Sequence, residues 1–212
     1  MVKKILLISI LLISLEEATG QVKYGVKAGV NVNTTNTFIK DAPSWVDFEN
    51  DVENTVGFHA GLFFAIELGE KFSFRPELEY IQKGHRYNYI DLTQKVTLNY
   101  IDVPLLFSYK IANKFYVEAG PTFGYLFSSK SDNDIFVPPS EIYKRKFEVA
   151  ALGGFRYTLF KNFDVTTRYN LGLTDLTDEI LDIQNPNTNE SESFEYVAKN
   201  KVLIFSIAYS FK

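Results

Sequence analysis

Residues 22–33 alternate without an error, with Val22, Tyr24, Val26, Ala28, Val30 and Val32 on one parity and Lys23, Gly25, Lys27, Gly29, Asn31 and Asn33 on the other. A period of two is the mark of a strand whose two faces meet different surroundings. The pattern returns seven times, over residues 55–68, 72–83, 96–110, 115–129, 147–160, 163–173 and 199–211. In several returns one parity carries large aromatics while the other carries full charges. In residues 163–173, for example, Phe163, Val165, Tyr169, Leu171 and Leu173 oppose Asp164, Thr166, Arg168, Asn170 and Gly172. A barrel that is apolar outside and polar inside accounts for such faces. Phe63, Leu106 and Ile204 break the pattern by falling on the polar parity.

The connections alternate as well. Residues 34–54, 84–95, 130–144 and 174–198 are long, whereas residues 69–71, 113–114 and 161–162 are short turns. Short turns at one end and long loops at the other are the plan of an outer-membrane barrel. Each strand is long enough for the ~9–11 residues that a tilted membrane-crossing strand needs. Lipid offers no partner to a free backbone N–H, so the last strand must pair with the first. The fold class is therefore all-β: an eight-stranded antiparallel up-and-down transmembrane β-barrel, with short periplasmic turns and long extracellular loops. Pro104 lacks an N–H and is expected to sit at a bulge. The competing reading, a soluble lipocalin-type barrel, would turn its apolar parity inward. The glycines and mixed charges of the polar parity suit a crowded interior better than a solvated surface.

Composition narrows the function classes. A net charge of −4 gives no reason to expect nucleic acid, which calls for a basic surface. The absence of cysteine excludes disulfides, thiolate metal sites and a cysteine nucleophile. At the N-terminus Lys3 and Lys4 precede an apolar run over residues 5–15, and Ala18, Thr19 and Gly20 follow. This is the layout of a signal peptide, expected to span residues 1–20 and to leave residues 21–212 as the barrel domain. The run is shorter than the ~20 residues of a membrane-spanning helix. The expected location is the cell outer membrane after export.

Four segments carry a family resemblance: FSFRPELEYIQKG at residues 72–84, LNYIDVPLL at 98–106, FYVEAGP at 115–121 and RYNLGL at 168–173. In sequence and order they resemble the outer-membrane β-barrel domain known as the porin family or PorT-like, over essentially the whole mature chain. The resemblance implies a membrane barrel and, for the PorT branch, an association with protein secretion. It carries no assigned reaction. Such barrels usually end on an aromatic residue, whereas here Lys212 follows Phe211.

The polar parity holds seven cations, Lys23, Lys27, Arg75, Lys83, Lys110, Arg156 and Arg168, and seven anions, Glu67, Glu77, Glu79, Asp102, Glu118, Glu148 and Asp164. Eight strands leave an interior just wide enough for side chains. Buried charges cost several kcal/mol each unless paired. A packed ionic network is thus favoured over a conduit or ligand pocket, and its members are taken to include Lys23, Lys27, Arg75, Glu77, Glu79, Lys83, Asp102, Glu118, Glu148, Arg156 and Arg168. Two histidines, His59 and His85, are too few for a metal cluster, so neither metal nor cofactor is expected. His59 reads as a member of the polar core. His85 with Asp91, or Glu77 with Glu79 in a glycosidase-like pair, are the remaining acid–base candidates. Neighbouring Arg75 and Lys83 make ion pairing the plainer account of the two glutamates. No catalytic residue is assigned.

Binding is expected in the long loops. The fourth is acidic, with Asp175, Asp178, Glu179, Asp182, Glu190, Glu192 and Glu195, and the first carries Trp45 beside Pro43 and Phe48. The expected role is that of a non-enzymatic, monomeric barrel embedded in membrane lipid, with a structural, adhesive or accessory function through its loops and a possible protein partner there. A narrow channel for ions or small solutes and a barrel enzyme acting on lipid or peptide are the alternatives.

Overall fold

Eight long strands close into a ring. In the computed structural model, residues 22–43, 52–89, 92–132, 139–185 and 188–211 are described. The elements are β1 (Val22–Ile39), β2 (Val52–Glu53), β3 (Thr55–Glu67), β4 (Phe72–Tyr89), β5 (Leu92–Ala112), β6 (Phe115–Ser131), the short helix α1 (Pro139–Ile142), β7 (Phe147–Phe160), β8 (Phe163–Gly172), β9 (Glu179–Gln184) and β10 (Ser191–Ser210). The ring runs β1-β3-β4-β5-β6-β7-β8-β10, every pair antiparallel. It closes where β10 pairs with β1 from Gly25↔Ser210 to Ile39↔Tyr196. The expected closure of last strand on first is present. Among the described residues no helix is long and apolar enough to cross a membrane.

The apolar parity faces out. Val26, Val30, Phe58, Leu62, Leu78, Phe107, Phe123, Phe155, Tyr169, Phe205 and Ile207 are all exposed. In water this much contiguous apolar surface would aggregate; in lipid it is the solvated face. Aromatic rings gather at the short-turn end. Tyr24 meets Phe211 at 5.7 Å, Phe163 meets Tyr209 at 4.9 Å, Phe72 meets Tyr109 at 4.8 Å and Phe115 meets Phe155 at 5.6 Å between centroids. Toward the other end Phe58, Tyr80 and Phe127 form a second chain of rings, and Tyr125 packs on Phe147. Two belts flanking an apolar band match the two interfaces of a bilayer.

Several local expectations are corrected. The connection expected over residues 84–95 is strand on both sides, because the alternation carries on past the apolar band: His85 turns inward and buried while Arg86 faces out. Gly84 sits there at φ +147°, a conformation that L side chains rarely adopt. The fourth loop folds into a β9–β10 ribbon, Ser191↔Gln184 to Tyr196↔Glu179. Pro104 forms no bulge. The register on β4 is the same on either side of it, Pro76↔Leu105 and Glu79↔Asp102, and the ladder merely lapses opposite the missing N–H. The irregularities of β5 against β6 lie at Asn99/Tyr100 and at Lys110/Ala112 instead. The first of these puts Ser128 opposite Asn99, off the inward parity expected for it. The expected signal peptide, Trp45, Phe48, Asp91 and Lys212 lie outside the described residues.

Candidate functional site

The strand register brings together inside the ring charges that are far apart in the chain. Lys27 on β1 lies 2.7 Å from Glu77 and 2.6 Å from Glu79, both on β4. Arg168 on β8 reaches across the lumen, donating from Nη1 and Nη2 to both oxygens of Glu77 at 2.8 and 3.0 Å. The same guanidinium donates from Nε and Nη2 to Glu118 on β6 at 2.9 and 2.6 Å. Arg75 holds Glu77 through Nε at 2.9 Å, and Arg156 holds Glu118 through Nε at 2.8 Å. Ser108 donates to Glu118 at 2.9 Å. This is the paired, multiply hydrogen-bonded state that buried charge requires. Bidentate guanidinium–carboxylate contacts also fix its geometry.

Small residues make room for these charges. A Cβ on Gly154 would lie 2.9 Å from Cγ of Arg168, and one on Gly124 would lie 2.6 Å from Oδ1 of Asp102. At these two positions the missing side chain is the space that a charged chain occupies.

A second layer centres on Lys83. Its ammonium lies 2.7 Å from Glu148 and 3.0 Å from Asp102, and it sits 4.3 Å from the centroid of the Tyr100 ring. Asn200 donates to Glu148 at 3.2 Å. His59 contacts Ser206 through Nε2 at 2.7 Å and Asn31 through Nδ1 at 3.3 Å, a place in the polar core.

Toward the long-loop end the interior turns apolar. Ile81, Val96, Leu98, Tyr100, Leu126, Leu152 and Val202 form one buried cluster, joined by Tyr143 and Leu176 from outside the ring strands. Tyr143 follows α1 and is fully buried. Its hydroxyl meets Nε2 of His85 at 3.1 Å, and Nδ1 of His85 meets the Thr35 hydroxyl at 2.7 Å. Burial pushes the Tyr143 phenol above the ordinary tyrosine range, so it stays neutral. Arg145 then ties the third connection to the fourth, 3.2 Å from Asp178 and 3.7 Å from Asp175. The outer mouth is plugged by its own loops.

Of the residues grouped as an interior network, Lys27, Arg75, Glu77, Glu79, Glu118, Arg156 and Arg168 share one layer, and Lys83, Asp102 and Glu148 share the other. Lys23 stands apart at the short-turn mouth, where it pairs with Glu67 at 2.7 Å with both side chains nearly half exposed. The acid–base candidates are occupied: both glutamates are held by cations, and His85 is enclosed by Thr35 and Tyr143. Among the described residues there is no cluster suited to a metal ion. Sequence reasoning missed the apolar inner cluster and the plugging Tyr143. The signal for the first was present in Leu106 and Ile204, which belong to it, whereas Phe63, also buried inside, lies under Arg75 at the short-turn end.

The family model described as the outer membrane protein beta-barrel domain matches residues 16–178. Among solved structures, the chain is similar to Ail, the attachment invasion locus protein of Yersinia pestis, in complex with the heparin analogue sucrose octasulfate, at 15% identity and TM-score 0.46, covering 90% of this chain and 99% of that one. It is similar to Neisserial surface protein A at 11% identity and TM-score 0.49, covering 89% and 97%. It is also similar to OprG from Pseudomonas aeruginosa at 13% identity and TM-score 0.48, covering 89% and 95%. No curated protein matches in sequence.

Proposed function

The chain belongs to the outer membrane protein β-barrel domain family, and from that premise we propose that it is a non-enzymatic, monomeric barrel with a structural, adhesive or accessory role exerted by its extracellular end. The observation that carries this reading is the filled interior. Arg168 bridges Glu77 and Glu118 across the lumen, and Tyr143 stops the outer mouth, so what is left for a partner is the outer surface. The most elaborated part of that surface is the acidic β9–β10 ribbon, and its chemistry suits a basic protein partner. The resemblance to PorT-like barrels adds a link to secretion as one form of accessory role. Export by a signal peptide over residues 1–20 belongs to the same reading.

Protease treatment of whole cells followed by membrane fractionation tests it. Cleavage should be confined to the long-loop end, with the barrel core retained in the outer-membrane fraction; a mature chain recovered soluble from the periplasm overturns the proposal. The channel reading makes the opposite forecast. Planar-bilayer recording should be silent for this barrel, and conductance steps altered by Arg75 or Glu77 substitutions would replace an accessory role with solute passage. An enzymatic role would require an activity lost in His85→Ala while the barrel stays folded.

A further inference from the structure

The short-turn mouth contains a donor that the ionic layer leaves over. Arg75 gives Nε to Glu77 at 2.9 Å and Nη1 to Asp164 at 3.4 Å, with the Phe63 ring centroid 3.7 Å from its Cζ. Its remaining nitrogen, Nη2, is buried and has no hydrogen-bond partner among the described residues. A buried charged donor without an acceptor bears the full cost of its lost hydration. The nearby carboxylate is overcommitted. Oδ2 of Asp164 also faces Nη1 of Arg156 at 3.4 Å, while Oδ1 accepts from Thr158 at 2.7 Å. Charge-assisted contacts of this kind ordinarily close to about 2.7–2.9 Å. Arg75 and Arg156 have their short contacts to Glu77 and Glu118 farther in, so on the mouth side they share only the longer contacts to Asp164.

These groups line a cavity of about 160 Å³ at the short-turn end. Six cations line it, Lys23, Lys71, Arg75, Lys110, Arg156 and Lys161, against three carboxylates, Glu67, Glu70 and Asp164. Lys23 is taken by Glu67. Among the described residues no carboxylate lies within ion-pair distance of Lys71, Lys110 or Lys161. Because Arg75 and Arg156 belong to the balanced ionic layer through Glu77, Glu118 and Asp164, the surplus is that of Lys71, Lys110 and Lys161 against Glu70, two positive charges. Farther in, the Glu77–Arg168–Glu118 bridge occupies the lumen, so an anion drawn in from this side stops there. The volume equals roughly five waters at ~30 Å³ each, which is room for a tetrahedral oxyanion and part of its hydration.

We propose that this cavity binds a phosphate-class oxyanion, with Nη2 of Arg75 as its innermost donor and Lys71, Lys110 and Lys161 neutralising it from the rim. A doubly charged anion matches the surplus better than a single carboxylate does. Two sources offer this chemistry at the periplasmic face: free phosphate, and the headgroup phosphate of phospholipids bordering the rim. Binding rather than passage is implied, which makes the inference independent of the role assigned to the outer loops.

The test uses the barrel purified in a non-ionic detergent and titrated with inorganic phosphate by calorimetry and ³¹P NMR. Saturable binding of one phosphate per barrel is expected, weakening as chloride is raised because the rim lysines are open to solvent. The triple substitution Lys71→Gln, Lys110→Gln, Lys161→Gln alters exposed or half-exposed positions, and heat-modifiable gel migration verifies its folding. It should weaken binding at least tenfold, whereas Lys40→Gln at the opposite end should change nothing. Short-chain phosphatidylglycerol is then added to the phosphate-loaded barrel. Displacement assigns the site to a headgroup, and retention assigns it to free phosphate. The proposal is overturned if neither phosphate nor the short-chain lipid binds saturably to the folded barrel, or if the triple variant binds as the parent does.

Discussion

The two halves of the interior are filled in different proportions, ions dominating one and apolar side chains the other. The half nearer the short turns is packed with ions that belong to the ring strands themselves, Lys27, Glu77, Glu118, Arg156 and Arg168. The half nearer the loops sets the smaller Lys83–Asp102–Glu148 layer among apolar side chains and, at its outer end, neutral hydrogen bonds such as Tyr143 to His85. An ionic layer borne by strands can rearrange only if the ladder breaks. A plug borne by a connection can leave while the ladder stays whole. The difference predicts two separable stabilities in one barrel, with the outer mouth at the weak end of the range of local opening.

The largest effect should come from breaking the ionic half. Arg168→Met leaves Glu77 and Glu118 buried without their central partner, and removal of one partner from a buried pair costs about 3–5 kcal/mol. Urea unfolding followed by heat-modifiable gel migration should show a loss of that order. A change below about 1 kcal/mol would mean that Lys27, Arg75 and Arg156 alone satisfy the two carboxylates.

Alkali should break the other half first. The Tyr143 phenol is held above its ordinary value by burial, so the folded plug keeps its proton where the unfolded segment loses it. The stabilisation is complete below the unfolded value of about 10 and is lost as pH rises beyond it, by up to about 1.4 kcal/mol per pH unit. Hydrogen exchange measured from pH 8 to 11 should therefore show the segment around α1 and Tyr143 loosening while amides of β6 and β8 remain protected. Simultaneous loss at both ends would deny that the halves are separable.

Tyr143→Phe sharpens the same contrast with a smaller change. It removes one hydrogen bond to His85 at almost constant volume, worth about 1 kcal/mol. The global midpoint should hardly move, because opening of the plug does not break the ring. Exchange around α1 should quicken, and its alkaline sensitivity should fall with the phenol gone.

What could be read in advance follows the same division. The outward faces, the ring closure and the charged parity need only a period of two, which each strand displays by itself. Which charge meets which needs the register between strands, and alternation leaves that open. Arg168 reaches Glu77 from 91 positions away, a separation that no local pattern encodes. The apolar half was harder still. Leu98 and Tyr100 share the parity of Asp102, so an inward apolar stretch reads as a fault in the pattern until the ring is closed. Tyr143 sits in a connection without alternation, and only the structure places it inside. Pro104 was misjudged because a missing N–H permits either a bulge or a gap, and here the ladder on β4 skips it without changing register.

The smallest effect belongs to the rim above the plug. Lys40 reaches across the top of the β1–β10 seam to Glu195 at 3.0 Å, and its backbone N–H donates to the Glu195 carbonyl, also at 3.0 Å. The hydrogen bond to Glu195 raises the Lys40 ammonium above its ordinary value, and the nearby negative charge adds to this. A raised lysine contributes below its unfolded value and loses that contribution as pH climbs through the folded one, so the pair is intact over the whole neutral range. It is nonetheless solvated on all sides, and exposed pairs contribute little because water and salt screen them. Lys40→Gln should leave the urea midpoint unmoved and the plug closed, while amides at the outer end of β1 exchange faster at low salt and at the parental rate in high salt. If this substitution instead released the α1 segment, the outer mouth would be held by its rim, and the contrast between a strand-borne half and a loop-borne half would give way to a single network running from Lys40 to Lys27.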